Sequence, residues 1–212
     1  METSFWQRAA GWSLTAGAAL FWLSWYLLPQ PGTTDARFIL EAVSSQRASV
    51  MASAIVQTLA AVAFVPAALL VPALEVGVGR RWLVAGAGLL LVGAIGNGAD
   101  AVYHQLAYEM TAPGVDRAAV APVMMRMQTV DVRLLAPLML AFFVAVICLA
   151  VGMARARLAT PQIWQLLALA LPVAVLGRAG VVGARPASLA VLALVSLSLA
   201  WVGGALRAAR LH

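Results

Sequence analysis

The chain has 212 residues, of which 63% are hydrophobic and only 10% are charged, and its formal net charge is +6. A soluble domain carries about 25% charged residues, so this composition excludes a soluble globular protein and indicates an integral membrane protein. The positive charge comes from arginine alone and lies at the ends of apolar segments, which excludes a nucleic-acid-binding protein with a basic soluble face.

Apolar segments long enough to cross the hydrocarbon core of a bilayer, about 30 Å thick, recur along the chain. Backbone groups in lipid must be hydrogen-bonded within the protein, so these segments are expected to be helices. We therefore predict an all-α, polytopic membrane helix bundle made of one integral membrane domain, residues 1–212. The six predicted spans are approximately 10–28, 49–72, 82–104, 130–153, 162–183 and 187–206.

Amphipathic segments precede the second and fourth spans, and we predict that both form helical extensions on the outer side of the membrane. Thr33, Thr34 or Asp35 can cap the first extension, and Asp116 can cap the second. Pro113 predicts a turn before the second extension. We expect each extension to continue into its span as one helix.

The arginines are divided equally between the two sides of the predicted bundle, so their position decides the orientation and their number does not. On one side they form compact groups in short loops, at Arg80–Arg81 and at Arg155 and Arg157, as is typical of cytoplasmic loops. We therefore predict that both termini are cytoplasmic. Arginine without lysine, with abundant alanine, valine and leucine, indicates a GC-rich bacterial genome, so the predicted location is the bacterial cytoplasmic (inner) membrane.

A polar stripe interrupts the end of the third span. Asn97, Asp100, His104 and Tyr108 are spaced three, four and four residues apart, so at about 100° per residue they share one side of a helix. Ionisable side chains at membrane depth are costly and tend to face a bundle interior or water. In the second span, Gln57 lies near mid-depth, where a buried amide needs hydrogen-bond partners, so its face is expected to turn toward other helices.

We predict that polar side chains from four helices meet in one pocket that opens to the outer side. The arginines would attract an anion, while the amides and the imidazole would form hydrogen bonds. The predicted function is the binding or transport of a small polar or anionic ligand within the lipid bilayer. The predicted ligand-binding residues are Gln57, Asn97, Asp100, His104, Tyr108, Arg126, Arg133 and Arg178.

Two other functions remain open on the sequence. Asp100 and His104 lie one helical turn apart and could bind a metal ion, with Met124, Met125 or Met127 as thioether ligands for Cu(I). A zinc site needs three protein ligands or more, so the pair alone is a weak candidate. Alternatively, the chain could be a non-catalytic structural or assembly subunit whose polar face contacts a partner membrane protein.

The sequence argues against an enzyme. No serine lies in a nucleophile-elbow pattern, and Cys148 lies within an apolar segment, so no nucleophile is indicated beside His104. An acid–base pair of Asp100 and His104 leaves intramembrane catalysis open. A haem held by two histidines would need a second imidazole within the spans, and the pattern identifies no cofactor.

Overall fold

The computed structural model describes residues 2–29, 35–74, 77–158, 162–178 and 183–209. Within these ranges the secondary structure is helical and contains no strand, which confirms the all-α prediction. Short 3-10 turns, Val71–Ala73 and Gly77–Gly79, lie on either side of the α3–α4 connection. The α-helices are α1 (Glu2–Leu27), α2 (Ala36–Ser45), α3 (Arg47–Leu70), α4 (Arg80–Met110), α5 (Arg117–Arg155), α6 (Gln162–Arg178) and α7 (Ala184–Ala208).

Four helical segments of the described chain are long and apolar enough to cross a membrane, which supports a membrane protein. They are Arg47–Ala73, Gly77–Met110, Arg133–Arg155 and Ala184–Ala208. The apolar part of α6, Gln165–Leu176, is shorter. Although α1 is 26 residues long, its tryptophans, serines and threonine lower its mean hydropathy, and it is not in this set.

Helix α3 packs antiparallel to α1, α4 to α3, and α5 to α4. Ser53 Oγ on α3 donates a hydrogen bond to the carbonyl oxygen of Ser24 near the end of α1, at 2.7 Å. At the other end of α1, Gln7 Nε2 donates to the carbonyl oxygen of Ala209, 2.6 Å away, just after α7. The first and last described helices therefore place Gln7 and Ala209 at one end of the bundle, which we call the terminal end. The opposite end, which holds α2 and the turn between α4 and α5, is the distal end.

Close packing between α4 and α5 depends on glycines. A Cβ atom added to Gly93 would lie 2.6 Å from Cβ of Phe142, and one added to Gly96 would lie 2.7 Å from Cβ of Leu138. Both separations are shorter than van der Waals contact, so the glycines allow the two helices to approach. The ring of Phe142 also lies 4.6 Å from that of Phe21 on α1, centroid to centroid, so α1 and α5 share one core.

The distal extensions differ in continuity. The expectation that the first extension continues into its span was wrong: the helix breaks at Gln46, whose φ of −136° and ψ of 41° separate α2 from α3. Asp35 caps α2 by accepting hydrogen bonds from the backbone N–H groups of Arg37 and Phe38. The second extension does continue, since α5 is one helix of 39 residues with Asp116 at its N-cap.

Candidate functional site

The buried face of α4 carries three polar residues at spacings of three and four. Asn97 is fully buried, and Asp100 and His104 are 8% and 9% exposed. Gln57, on the neighbouring α3, is 1% exposed. We call Gln57, Asn97, Asp100 and His104 the polar cluster. The predicted stripe on α4 faces the interior of the bundle from Asn97 to His104, whereas Tyr108 is only half-buried.

Asp100 is the central acceptor of the polar cluster. Gln57 Nε2 donates a hydrogen bond to Asp100 Oδ2 at 2.7 Å, and His104 Nε2 lies 3.8 Å from the same oxygen. The second distance is too long for a hydrogen bond but allows an ion pair when the imidazole is protonated. A carboxylate with an amide donor on one side and an imidazole on the other can hold a proton or orient a polar group.

Several polar atoms of the cluster are buried without a partner. Among the described residues, Gln57 Oε1, Asn97 Oδ1 and His104 Nδ1 have no hydrogen-bond partner, and neither does Nε1 of the adjacent Trp25. The indole ring of Trp25 stands edge-on to the imidazole, with 6.3 Å between the ring centroids. Leaving a buried polar atom unpaired costs about 1–3 kcal/mol. The arrangement therefore presents acceptors and donors that can form further hydrogen bonds.

The face of α3 that carries Gln57 contacts α1 as well as α4. Ser53 Oγ donates to the carbonyl oxygen of Ser24, and Ser49 Oγ donates to that of Leu27. The prediction that this face turns toward other helices is confirmed. These hydrogen bonds fix α3 against α1 and so position the Gln57 amide beside Asp100.

Three of the remaining predicted residues, Tyr108, Arg126 and Arg133, form no hydrogen bond or ion pair with the polar cluster in the described structure. Tyr108 lies under Arg47, whose Cζ atom is 3.9 Å from the ring centroid. Arg126 and Arg133 are exposed on α5, and no hydrogen bond or ion pair of the described residues joins either to Asp100. Arg178 ends α6, but its side chain lies outside the described part of the chain.

A second polar contact joins α4 to α5. Gln128 Nε2 donates to the Tyr103 hydroxyl at 2.6 Å, and that hydroxyl lies 3.5 Å from Sδ of Met124. Met124 is fully buried and Met125 is 60% exposed, so the two thioethers face different surroundings. Three or more histidine, cysteine, aspartate or glutamate side chains do not come together anywhere in the described ranges. The described structure therefore brings no third ligand of these types to Asp100 and His104.

Trp25 is a neighbour of the polar cluster that the sequence did not predict. Its position near the end of the first span is typical of an interfacial tryptophan. Phe21 lies four residues earlier on the same side of α1, and this spacing signals a helix face buried against other helices.

Comparison of the chain with protein-family models, with curated proteins and with solved structures finds no match.

Proposed function

We propose that this membrane protein binds or transports a small polar or anionic ligand in an outward-facing pocket built around the polar cluster. The observation that carries the proposal is the buried carboxylate of Asp100, hydrogen-bonded to Gln57 and surrounded by polar atoms without partners. Ionisable residues within membrane-spanning helices are rare outside functional sites because their burial is costly. A ligand with both donor and acceptor groups would pair these atoms.

The protonation state of the His104 imidazole would determine which ligand groups the site can bind. A protonated imidazole beside Asp100 offers a positively charged donor, and a neutral one offers a donor and an acceptor. The fully buried Asn97 and nearly buried Gln57 add amide oxygens that accept hydrogen bonds. The site would therefore prefer a small molecule with hydrogen-bonding groups over an apolar one.

We also propose that α1, α3, α4, α5, α6 and α7 all span the bacterial inner membrane, with the terminal end in the cytoplasm. The antiparallel contacts that place Gln7 beside Ala209 support an even number of crossings. Arg80, Arg81 and Arg155 lie in or beside short connections at the terminal end, which agrees with the positive-inside rule. The polar cluster would then lie toward the outer surface.

Single-cysteine labelling is expected to report opposite sides for the two ends of α4. Val78 is 77% exposed at the terminal end and Val115 is 37% exposed at the distal end. In a Cys148→Ala background, Val115→Cys should react with a membrane-impermeant maleimide in intact spheroplasts. Val78→Cys should react only after permeabilisation. The reverse pattern would invert the orientation, and labelling of both from outside would contradict a membrane-spanning α4.

Native mass spectrometry with elemental analysis, on protein purified in a mild detergent, tests the proposed function directly. We expect a bound small molecule at up to one equivalent. A stoichiometric metal ion would instead favour a site at Asp100 and His104. A ligand-free chain with a stoichiometric partner protein would favour the alternative function, a non-catalytic structural or assembly subunit. A lone chain with no bound mass would contradict the proposal.

A further inference from the structure

A cavity of about 860 Å³ lies between α2 and α5 at the distal end and has a net positive lining. Arg37, Arg117 and Arg126 line it, and Glu41 supplies the opposing charge. In the described structure none of the three guanidinium groups forms an ion pair, and Arg117 Nη1 donates only to Ser44 Oγ, at 3.0 Å. Guanidinium groups without a carboxylate partner are suited to bind phosphate.

An apolar groove of about 380 Å³ adjoins this cavity at Arg126, the residue common to both linings. It runs between α4 and α5 and is lined almost entirely by apolar side chains. Val130 and Leu134 are 58% and 61% exposed there. Tyr103 also lines the groove, and its hydroxyl accepts a hydrogen bond from Gln128 Nε2. The groove therefore suits an aliphatic chain.

The arginine-lined cavity and the apolar groove lie at the depths of a lipid headgroup and of an acyl chain, respectively. The fourth span predicted from the sequence begins near residue 130, so Leu134 lies within it. Arg126 lies four residues before residue 130, which at about 1.5 Å per residue places it about 6 Å farther toward the distal end. The groove thus crosses from the hydrocarbon region toward the headgroup region, and the arginines follow on the outer side.

We propose that this combined site binds one anionic phospholipid, with its phosphate among Arg37, Arg117 and Arg126 and one acyl chain in the groove. The site is separate from the polar cluster, so the inference goes beyond the proposed function. Charge complementarity favours an anionic lipid over a neutral one, because three arginines face a single glutamate. The exposed apolar lining favours a lipid over a free anion.

Lipid titration followed by native mass spectrometry in mild detergent tests this proposal. Phosphatidylglycerol should bind at least about tenfold more tightly than phosphatidylcholine with the same acyl chains. Arg126→Gln should weaken phosphatidylglycerol binding by about tenfold or more, since a charge-assisted hydrogen bond is lost. Leu134→Gln should also weaken it, because the groove becomes polar. Arg81→Gln is the matched control: Arg81 is exposed at the terminal end and lines neither cavity, so binding should not change.

Several results would overturn the proposal. Equal affinity for the two lipids would exclude recognition of the lipid charge. Wild-type affinity in folded Arg126→Gln protein would show that Arg126 does not bind the lipid phosphate. Displacement of phosphatidylglycerol by inorganic phosphate at an equal concentration would indicate a free-anion site. A stoichiometric protein that blocks lipid binding would indicate a protein interface. Loss of the polar-cluster ligand alone would leave this proposal standing, because the two sites share no residue.

Discussion

Asp100→Asn is expected to lower occupancy by the co-purifying small molecule by about tenfold or more, while the protein stays folded. Asparagine has nearly the same shape as aspartate, and its amide oxygen can still accept the 2.7 Å hydrogen bond from Gln57 Nε2. The substitution removes the negative charge that lies 3.8 Å from His104 Nε2. A donor group of the ligand would then meet a neutral amide in place of a carboxylate, and hydrogen bonds to charged groups contribute about 1.5–3 kcal/mol.

His104→Ala is expected to abolish the same binding for a different reason. The imidazole stands edge-on to Trp25 and has Nδ1 buried without a partner, so its removal deletes a polar atom from the proposed ligand site. Both variants are measured by native mass spectrometry, with thermal unfolding as a check on the fold. Wild-type occupancy in both variants, at normal expression, would exclude the polar cluster as the ligand site.

Glu109→Gln is the matched control for the loss of charge on α4. Glu109 is exposed on the same helix, and no described hydrogen bond joins its carboxylate to the polar cluster. The substitution changes the net charge by the same amount as Asp100→Asn. It removes no contact with the polar cluster, so it should leave ligand occupancy unchanged. A loss as large as in Asp100→Asn would indicate a long-range effect of charge, and the proposed contact would then be wrong.

Much of the helical pattern was predictable because apolar length and spacing are local properties of the sequence. The stripe from Asn97 to His104 needed only the helical period, and the structure does bury it. The break at Gln46 was not predictable in this way, because the residues around it contain no proline or glycine. It arises from tertiary packing: α2 turns so that Leu40 and Val43 pack against Ala107 and Met124. Such packing overrides local helix propensity.

The candidate site was only partly predictable, because depth along a helix does not give direction around the bundle. Gln57 was placed near mid-depth and Asp100 nearer the outer end of its span, and the structure joins them by a hydrogen bond. Arg126 and Arg133 were grouped with them by a similar argument, yet both are exposed on α5. Which side of α5 faces α4 is set by Gly93 and its neighbours, and this register is visible only once the two helices are packed.

Gly203→Val is expected to cause the largest loss of stability of any single-glycine variant at the α1–α7 contact. A Cβ atom on Gly203 would lie 2.5 Å from the carbonyl oxygen of Gly11 and 2.6 Å from Oγ1 of Thr15. The contact is reciprocal, because a Cβ atom on Gly11 would lie 2.5 Å from the carbonyl oxygen of Gly203. Backbone atoms cannot move aside as a flexible side chain can, so the two helices must separate.

Separation of α1 from α7 would also weaken neighbouring contacts at the terminal end. Gln7 Nε2 donates to the carbonyl oxygen of Ala209 at 2.6 Å, and the Arg207 guanidinium lies 3.9 Å from the ring centroid of Trp12. Overpacking typically costs about 1–3 kcal/mol, and the loss of these contacts adds to it. In a chain of this size each 1 kcal/mol corresponds to about 2–4 °C in the unfolding temperature. The decrease should therefore be several degrees in detergent.

Gly204→Ala gives the matched comparison at the adjacent position. The nearest atom to its added Cβ would be Nη2 of Arg207, 3.7 Å away at the end of a flexible side chain. Alanine has a higher helix propensity than glycine by about 1 kcal/mol, so this variant should be as stable as the wild type or more stable. Gly203→Ala should fall between the two, because the same gain in propensity opposes the backbone clash. Equal unfolding temperatures for Gly203→Val and Gly204→Ala would show that α1 and α7 do not pack through Gly11 and Gly203.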